Sequence, residues 1–201
     1  MRLLLIRHGA TLDNEQKRYI GQTDVMLSPR GVEQATRLGT FLAHEAVDFI
    51  VTSDLQRARA TADAIAHYHA VPLEEDSDLR EIARGVWEGA TYSEVRARYA
   101  DLLASWRQTP VECQIPGGET LVQLRNRVVR ALERCYIRSP EATVFWVTHV
   151  GVIQVVLCHL LKRDLNAWRQ FYRDNASVTE VLVDRVGEVL VGSIVTSPMH
   201  R

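Results

Sequence analysis

Apolar positions along the chain alternate between short blocks and longer amphipathic stretches. Residues 3–6 (LLLI), 48–52 (DFIVT) and 143–147 (TVFWV) are short runs of the kind that form strands buried on both faces. Helical apolar spacing covers residues 28–44, 53–68, 92–107, 119–136 and 150–161. Ser28-Pro29 supplies an N-cap with proline at the first helical position, and Ser53-Asp54 offers a cap for the next helix. SVTEVLVD and EVLVGSIV flank Val186-Gly187 and predict a closing antiparallel hairpin. No repeat and no Pro/Gly/Ser linker divides the chain. The pattern predicts a single α/β domain over residues 1–201, a three-layer α/β/α sandwich with a mainly parallel sheet and helices on both faces.

In open α/β sheets ligands bind beyond the carboxyl ends of the strands. Arg7-His8-Gly9 follows the first strand, Ser53-Asp54-Leu55-Gln56-Arg57 the second, and Thr148-His149-Val150-Gly151 the third. One strand-end histidine is ordinarily a packing or capping residue. Two of them, each trailed by glycine and joined by Arg7 and Arg57, predict a cluster on one rim whose guanidinium forks suit a phosphate dianion. Helix N-termini after the second and third strands add backbone donors. A metal is not expected, because His8 and His149 lack a third ligand and two arginines would repel a divalent cation. His67 and His69, two apart, fall on different helix faces. His44, His159 and His200 have no partner pattern.

An unprotonated imidazole is a good nucleophile toward phosphorus, and flanking positive charge neutralises the phosphoryl oxygens in the transition state. Such chemistry needs an acid for the leaving alcohol. Glu81 and Glu88, both in the irregular stretch PLEEDSDLREIARGVWEG, are rivals for that role, and spacing alone leaves both open.

Composition limits the partners. Of 201 residues, 24 are basic and 25 acidic, giving a net charge of −1, which argues against nucleic acid and membrane surfaces as partners. Only Lys17 and Lys162 are lysines, so arginine dominates the basic set. Arg96, Arg98, Arg125, Arg127 and Arg130 fall on predicted helices and read as solvated faces. Three scattered cysteines, a signal core too short after Met1-Arg2 and no stretch near the roughly 18 apolar residues of a span predict a cytoplasmic protein without disulfides.

Arg7-His8-Gly9 with Asn14, Gly21, Asp24, Leu27 and Gly31 resembles the opening of the histidine phosphatase superfamily, the phosphoglycerate mutase-like group. The resemblance continues in order through SDLQRARATA (53–62), LREIARGVWEG (79–89), PGGET (116–120) and THVG (148–151), and so spans essentially the whole chain. It implies that His8 is the phosphorylated nucleophile, that Arg7, Arg57 and His149 hold the phosphoryl group, and that Glu81 is the proton donor and acceptor. It also implies that Asn14, Gly21, Gln22, Val150 and Gly151 line the pocket and that no metal or cofactor takes part.

The family contains phosphatases and mutases. The interval 89–116 is short, offers only Arg107 where mutases tend to carry paired arginines, and follows an acid loop reading Glu81-Ile82-Ala83-Arg84-Gly85. These features resemble the short phosphatase branch, which includes α-ribazole phosphatase and broad-specificity phosphatases. A small phosphorylated metabolite is then the expected substrate, with phosphoglycerate mutase as the alternative activity. A silent phosphoryl-binding module is a third reading, disfavoured because both histidines, both arginines and the acid are present. Ala83-Arg84 replaces the acidic-aromatic pair common in α-ribazole phosphatases, and Arg84 predicts a preference for anionic substrates. Residues 91–116 are expected to form a small helical cap, with Trp87, Tyr92 and Trp106 either contacting substrate or joining cap to core. A homodimer is left open.

Overall fold

In a computed structural model, residues 1–186 and 189–194 are described. Six strands, β1 (Arg2–Arg7), β2 (Phe49–Thr52), β3 (Leu73–Glu75), β4 (Thr143–Thr148), β5 (Val178–Val186) and β6 (Val189–Ile194), form one sheet in the order β3-β2-β4-β1-β5-β6. The first four in that order are mutually parallel, and β5 and β6 are antiparallel additions beside β1. The helices are α1 (Leu12–Glu15), α2 (Pro29–Leu42), α3 (Gln56–Ala66), α4 (Tyr92–Arg98), α5 (Ala100–Gln108), α6 (Leu121–Arg138) and α7 (Val150–Leu160).

The continuous apolar run in β1 follows from burial on two sides. Leu4 and Ile6 pack with Leu38, Leu42, Ala62 and Ile65 of α2 and α3, whereas Leu3 and Leu5 share a core with residues of α6 and α7. Side chains alternate faces along a strand, so a sheet covered on both faces needs apolar residues at every position. The three-layer sandwich is the result. Its two inner strands, β1 and β4, carry their C-terminal ends to the same edge, with Arg7 paired to Thr148.

Several boundaries differ from the sequence expectation. Ser28 caps α2 by accepting from Gly31 N, as expected. The next helix begins later, at Gln56, because Leu55 is the N-cap residue and Ser53 turns to other partners. The predicted helix over 92–107 is two helices, broken at Tyr99, whose φ of −137° and ψ of 43° are not helical. Strand β3 and a 3₁₀ stretch at Leu165–Phe171 were not expected. The two hairpin strands are present, and the Val186-Gly187 turn lies outside the described residues at Gly187.

Trp87, Trp106 and Trp168 are buried and stack edge to face, with centroids 6.1 and 5.9 Å apart. Trp87 and Trp106 therefore join α5 to the core, while Tyr92 remains exposed. The three cysteines are free and buried. Among the described residues no helix is long and apolar enough to cross a membrane.

Candidate active site

At the shared edge of β1 and β4, the His8 amide donates to Thr148 O at 3.0 Å and brings two imidazoles to 5.0 Å between centroids. The His8 Nδ1 lies 2.6 Å from Gly9 O. A carbonyl only accepts, so Nδ1 carries the proton and Nε2 keeps its lone pair. His149 is fully buried behind His8, with Nε2 2.9 Å from Ser53 Oγ. Its Nδ1 is buried without a partner. Burial, with Arg57 and Arg7 nearby, holds both imidazoles well below the ordinary histidine range. Both rings are neutral near pH 7.

Arg7 donates from Nη1 to Arg173 O (2.5 Å) and Tyr172 OH (3.2 Å), while its Nε is buried and unpartnered. Arg57, in the first turn of α3, donates to Gly21 O at 2.7 Å and Thr23 O at 2.9 Å. Burial lowers its guanidinium from the usual value. These bonds aim both forks without neutralising them.

Glu81 is buried, accepting from Ile82 N through Oε1 (2.8 Å) and from Gly151 N through Oε2 (3.2 Å). A Cβ at Gly151 would overlap Glu81 Oε1, so glycine there admits the carboxylate rather than a ligand. Gly9 likewise serves close packing rather than the approach of a ligand, since a Cβ there would meet Gly31 O. Beneath the acid, Arg127 pairs with Glu119 at 2.7 Å and donates to the carbonyls of Glu81 (3.0 Å) and Asp78 (2.6 Å). Arg127 is thus buried, against its reading as a solvated residue.

Glu81 and Glu88 are placed differently. Glu88 accepts from Gln22 N and Thr23 N at 2.9 Å, from Arg84 N at 3.1 Å and from the Thr23 hydroxyl. Burial pushes its carboxyl up, but these hydrogen bonds outweigh that and hold it below the usual range. It staples the 21–24 loop and does not line the pocket. Glu81 does.

The pocket, about 380 Å³, is lined by Arg7, His8, Asn14, Arg57, Glu81, Arg84 and Val150 among the residues expected. Gly21, Gln22 and Gly151 do not line it: Gly21 and Gln22 brace the wall through bonds to Arg57 and to Glu81 O, and Gly151 through its bond to the Glu81 carboxylate. Lys17, Arg18, Tyr19, Ile20, Tyr92, Tyr172 and Asn175 complete the lining and were missed in the sequence, apart from Tyr92. Asn175 Nδ2 bridges His8 O and Asn14 Oδ1, each at 3.1 Å. The run of polar residues in FYRDNAS, just before β5, was the available signal for Tyr172 and Asn175. Among the described residues no group of three or more His, Cys, Asp or Glu could hold a metal ion. The arrangement offers one imidazole lone pair, one carboxylate and an excess of cations around a small volume.

The family model of the histidine phosphatase superfamily (branch 1) matches residues 3–196. Phosphoserine phosphatase 1 of Hydrogenobacter thermophilus is 32% identical over 191 residues, covering 95% of this chain and 90% of the relative. "Probable phosphoglycerate mutase GpmB" of Erwinia tasmaniensis is 30% identical, covering 90% and 84%. A mycobacterial glucosyl-3-phosphoglycerate phosphatase solved with VO3 superposes with a TM-score of 0.88 at 29% identity, covering 96% of each chain. The α-ribazole phosphatase of Shigella flexneri gives 0.85 at 26% identity, covering 98% and 96%.

Proposed function

The chain belongs to the histidine phosphatase superfamily (branch 1), and from that premise we propose a metal-independent phosphomonoester hydrolase acting through a phosphohistidine at His8. The observation that carries this reading is the His8 ring, protonated at Nδ1 by its bond to Gly9 O and facing a pocket of cations with a single carboxylate.

In the first step His8 Nε2 attacks phosphorus in line, the P–O bond to the leaving alcohol breaks, and Glu81 supplies the proton to that oxygen. Arg7 and Arg57 neutralise the equatorial oxygens, and the unpartnered Arg7 Nε and His149 Nδ1 are the free polar atoms left for them. In the second step water attacks the phosphohistidine, Glu81 takes its proton, and inorganic phosphate leaves with His8 restored. Asn14 and Asn175 fix the loop behind His8, and Val150 closes one wall. Residues 91–116 serve as the cap through Tyr92. Three free cysteines fit a reducing cytoplasm.

The test is hydrolysis of p-nitrophenyl phosphate in EDTA. Wild type turns it over, and His8→Ala abolishes both turnover and an acid-labile phosphoenzyme. Undiminished turnover in His8→Ala overturns the reading. Glu81→Gln slows esters of poor leaving groups more than the p-nitrophenyl ester; equal losses rule out a proton donor. The mutase alternative, favoured by the mutase-named relatives, requires transfer between phosphoglycerates to outrun hydrolysis.

A further inference from the structure

Beside the pocket lies a second cavity of about 410 Å³, which shares Tyr19, Arg84, Tyr92, Val150 and Tyr172 with it. Three guanidiniums line this cavity from separate segments: Arg84 after the acid loop, Arg107 at the end of α5, and Arg169 in the 3₁₀ stretch. No ion pair reaches any of them among the described residues, whereas ten of the other eighteen described arginines have one. Their contacts are neutral. Arg84 lies over Trp106 and Trp168, 5.5 and 5.8 Å from the ring centroids. Arg107 donates to Tyr92 OH at 2.9 Å. Arg169 donates to Trp106 O at 3.1 Å and Arg107 O at 3.2 Å.

The three cations act on one another. Burial lowers the Arg169 guanidinium, and Arg84 and Arg107 lower it further. Burial also lowers Arg84, with Glu81 and Glu88 only partly opposing it. Like charges gathered without a counter-ion disfavour the empty state, and an arriving anion relieves that repulsion. Planar guanidinium forks held by neutral acceptors suit carboxylate or phosphate oxygens. The tyrosine and tryptophan walls suit the carbon skeleton between two anionic ends.

We infer that this cavity is a second anion subsite: the substrate is a phosphomonoester bearing a further carboxylate or phosphate, bound by Arg84, Arg107 and Arg169 while its ester phosphoryl group lies at His8. This inference rests on the hydrolase reading above. Arg107 and Arg169 are specificity-determining residues in it, acting on binding rather than on the bond that breaks.

Matched substrates test it. In EDTA, kcat/KM is measured for 3-phosphoglycerate against glycerol 3-phosphate, which differ only in a carboxylate, and for fructose 1,6-bisphosphate against fructose 6-phosphate. Wild type favours the more anionic member of at least one pair by about tenfold or more, and the pair that responds distinguishes carboxylate from phosphate. Arg107→Gln and Arg169→Gln each reduce that ratio by about tenfold, chiefly through KM, and Arg107→Lys retains part of it. Equal rates within both pairs, or ratios unmoved by the variants, overturn the subsite while p-nitrophenyl phosphate turnover upholds the hydrolase. Absence of that turnover in wild type overturns the hydrolase reading, and the subsite falls with it.

Discussion

Along α6, Arg127, Arg130, Arg134 and Arg138 each meet a carboxylate, from Glu119, Asp78, Asp76 and Glu74 in turn. Around the pocket and its neighbouring cavity, Arg7, Arg57, Arg84, Arg107 and Arg169 meet none among the described residues. The same residue type does opposite work in the two regions. On α6 each guanidinium and its partner form a closed pair, and those of Arg130, Arg134 and Arg138 join the helix to the segment before the acid loop. At the pocket the cation is fixed by carbonyls, a phenol and ring faces, all of which orient it and leave its charge open. A net charge of −1 averages these populations and conceals both. The counter-charge absent from the pocket is the one a substrate brings.

That contrast can be broken most forcefully at Arg127. Its removal strands a largely buried Glu119 carboxylate and takes a donor from the carbonyls of Asp78 and Glu81, so Arg127→Ala should lower unfolding free energy by about 3–5 kcal/mol, read by urea denaturation. A loss under about 1 kcal/mol would place Arg127 with the surface pairs. Arg57→Ala should act on chemistry, lowering kcat/KM for p-nitrophenyl phosphate by roughly 10²–10³-fold. A change confined to stability would sink its assignment to the phosphoryl group.

Acid sharpens the contrast next. His8 and His149 are held below their ordinary value in the folded state by burial and by Arg57. Below about pH 6.5 the unfolded chain therefore binds protons that the folded chain refuses. Stability should fall as pH drops through that region, measured as urea midpoints at pH 7.5 and 5.5. Substituting His149 by Gln should flatten the dependence; an unchanged slope would assign it elsewhere. Arg84→Met should raise stability by about 1 kcal/mol, because it deletes a charge between two indoles that Glu81 and Glu88 only partly offset. Inorganic phosphate should raise the wild-type Tm, with the logarithm of its concentration once that exceeds Kd. The smallest effect belongs to Arg134→Gln, whose exposed pairs are worth less than about 1 kcal/mol by thermal melt.

The strands and the His8, Arg7, Arg57 and His149 cluster were legible because parallel strands carry adjacent motifs to one edge. Spacing left Glu81 and Glu88 open because both sit in one irregular loop; the resemblance pointed to Glu81, and the coordinates add that Glu81 lines the pocket while Glu88 turns to the 21–24 loop. Arg127 was misread because charge overrode periodicity: Leu124, Val128 and Ala131 put position 127 beside the inner face of α6. The break at Tyr99 carried neither glycine nor proline to announce it. Three-residue β3, partly exposed, left too little pattern to register. Ser53, Asn175 and Arg169 act through partners far along the chain, and no local spacing encodes them.

β1 pairs with β4 from Arg2 with Thr143 onward, and on its other side with β5. The strand that leads into His8 is therefore made long before the neighbours it pairs with. Closing loops of that length is entropically slow, and a nascent chain must hold β1 unpaired until the segment holding β4 has emerged. His8, lodged against Thr148 O and in front of His149, acquires its surroundings only when those pairings close. Chain synthesis thereby sets a timer on this enzyme: a copy that stops short of β4 has His8 but no pocket around it.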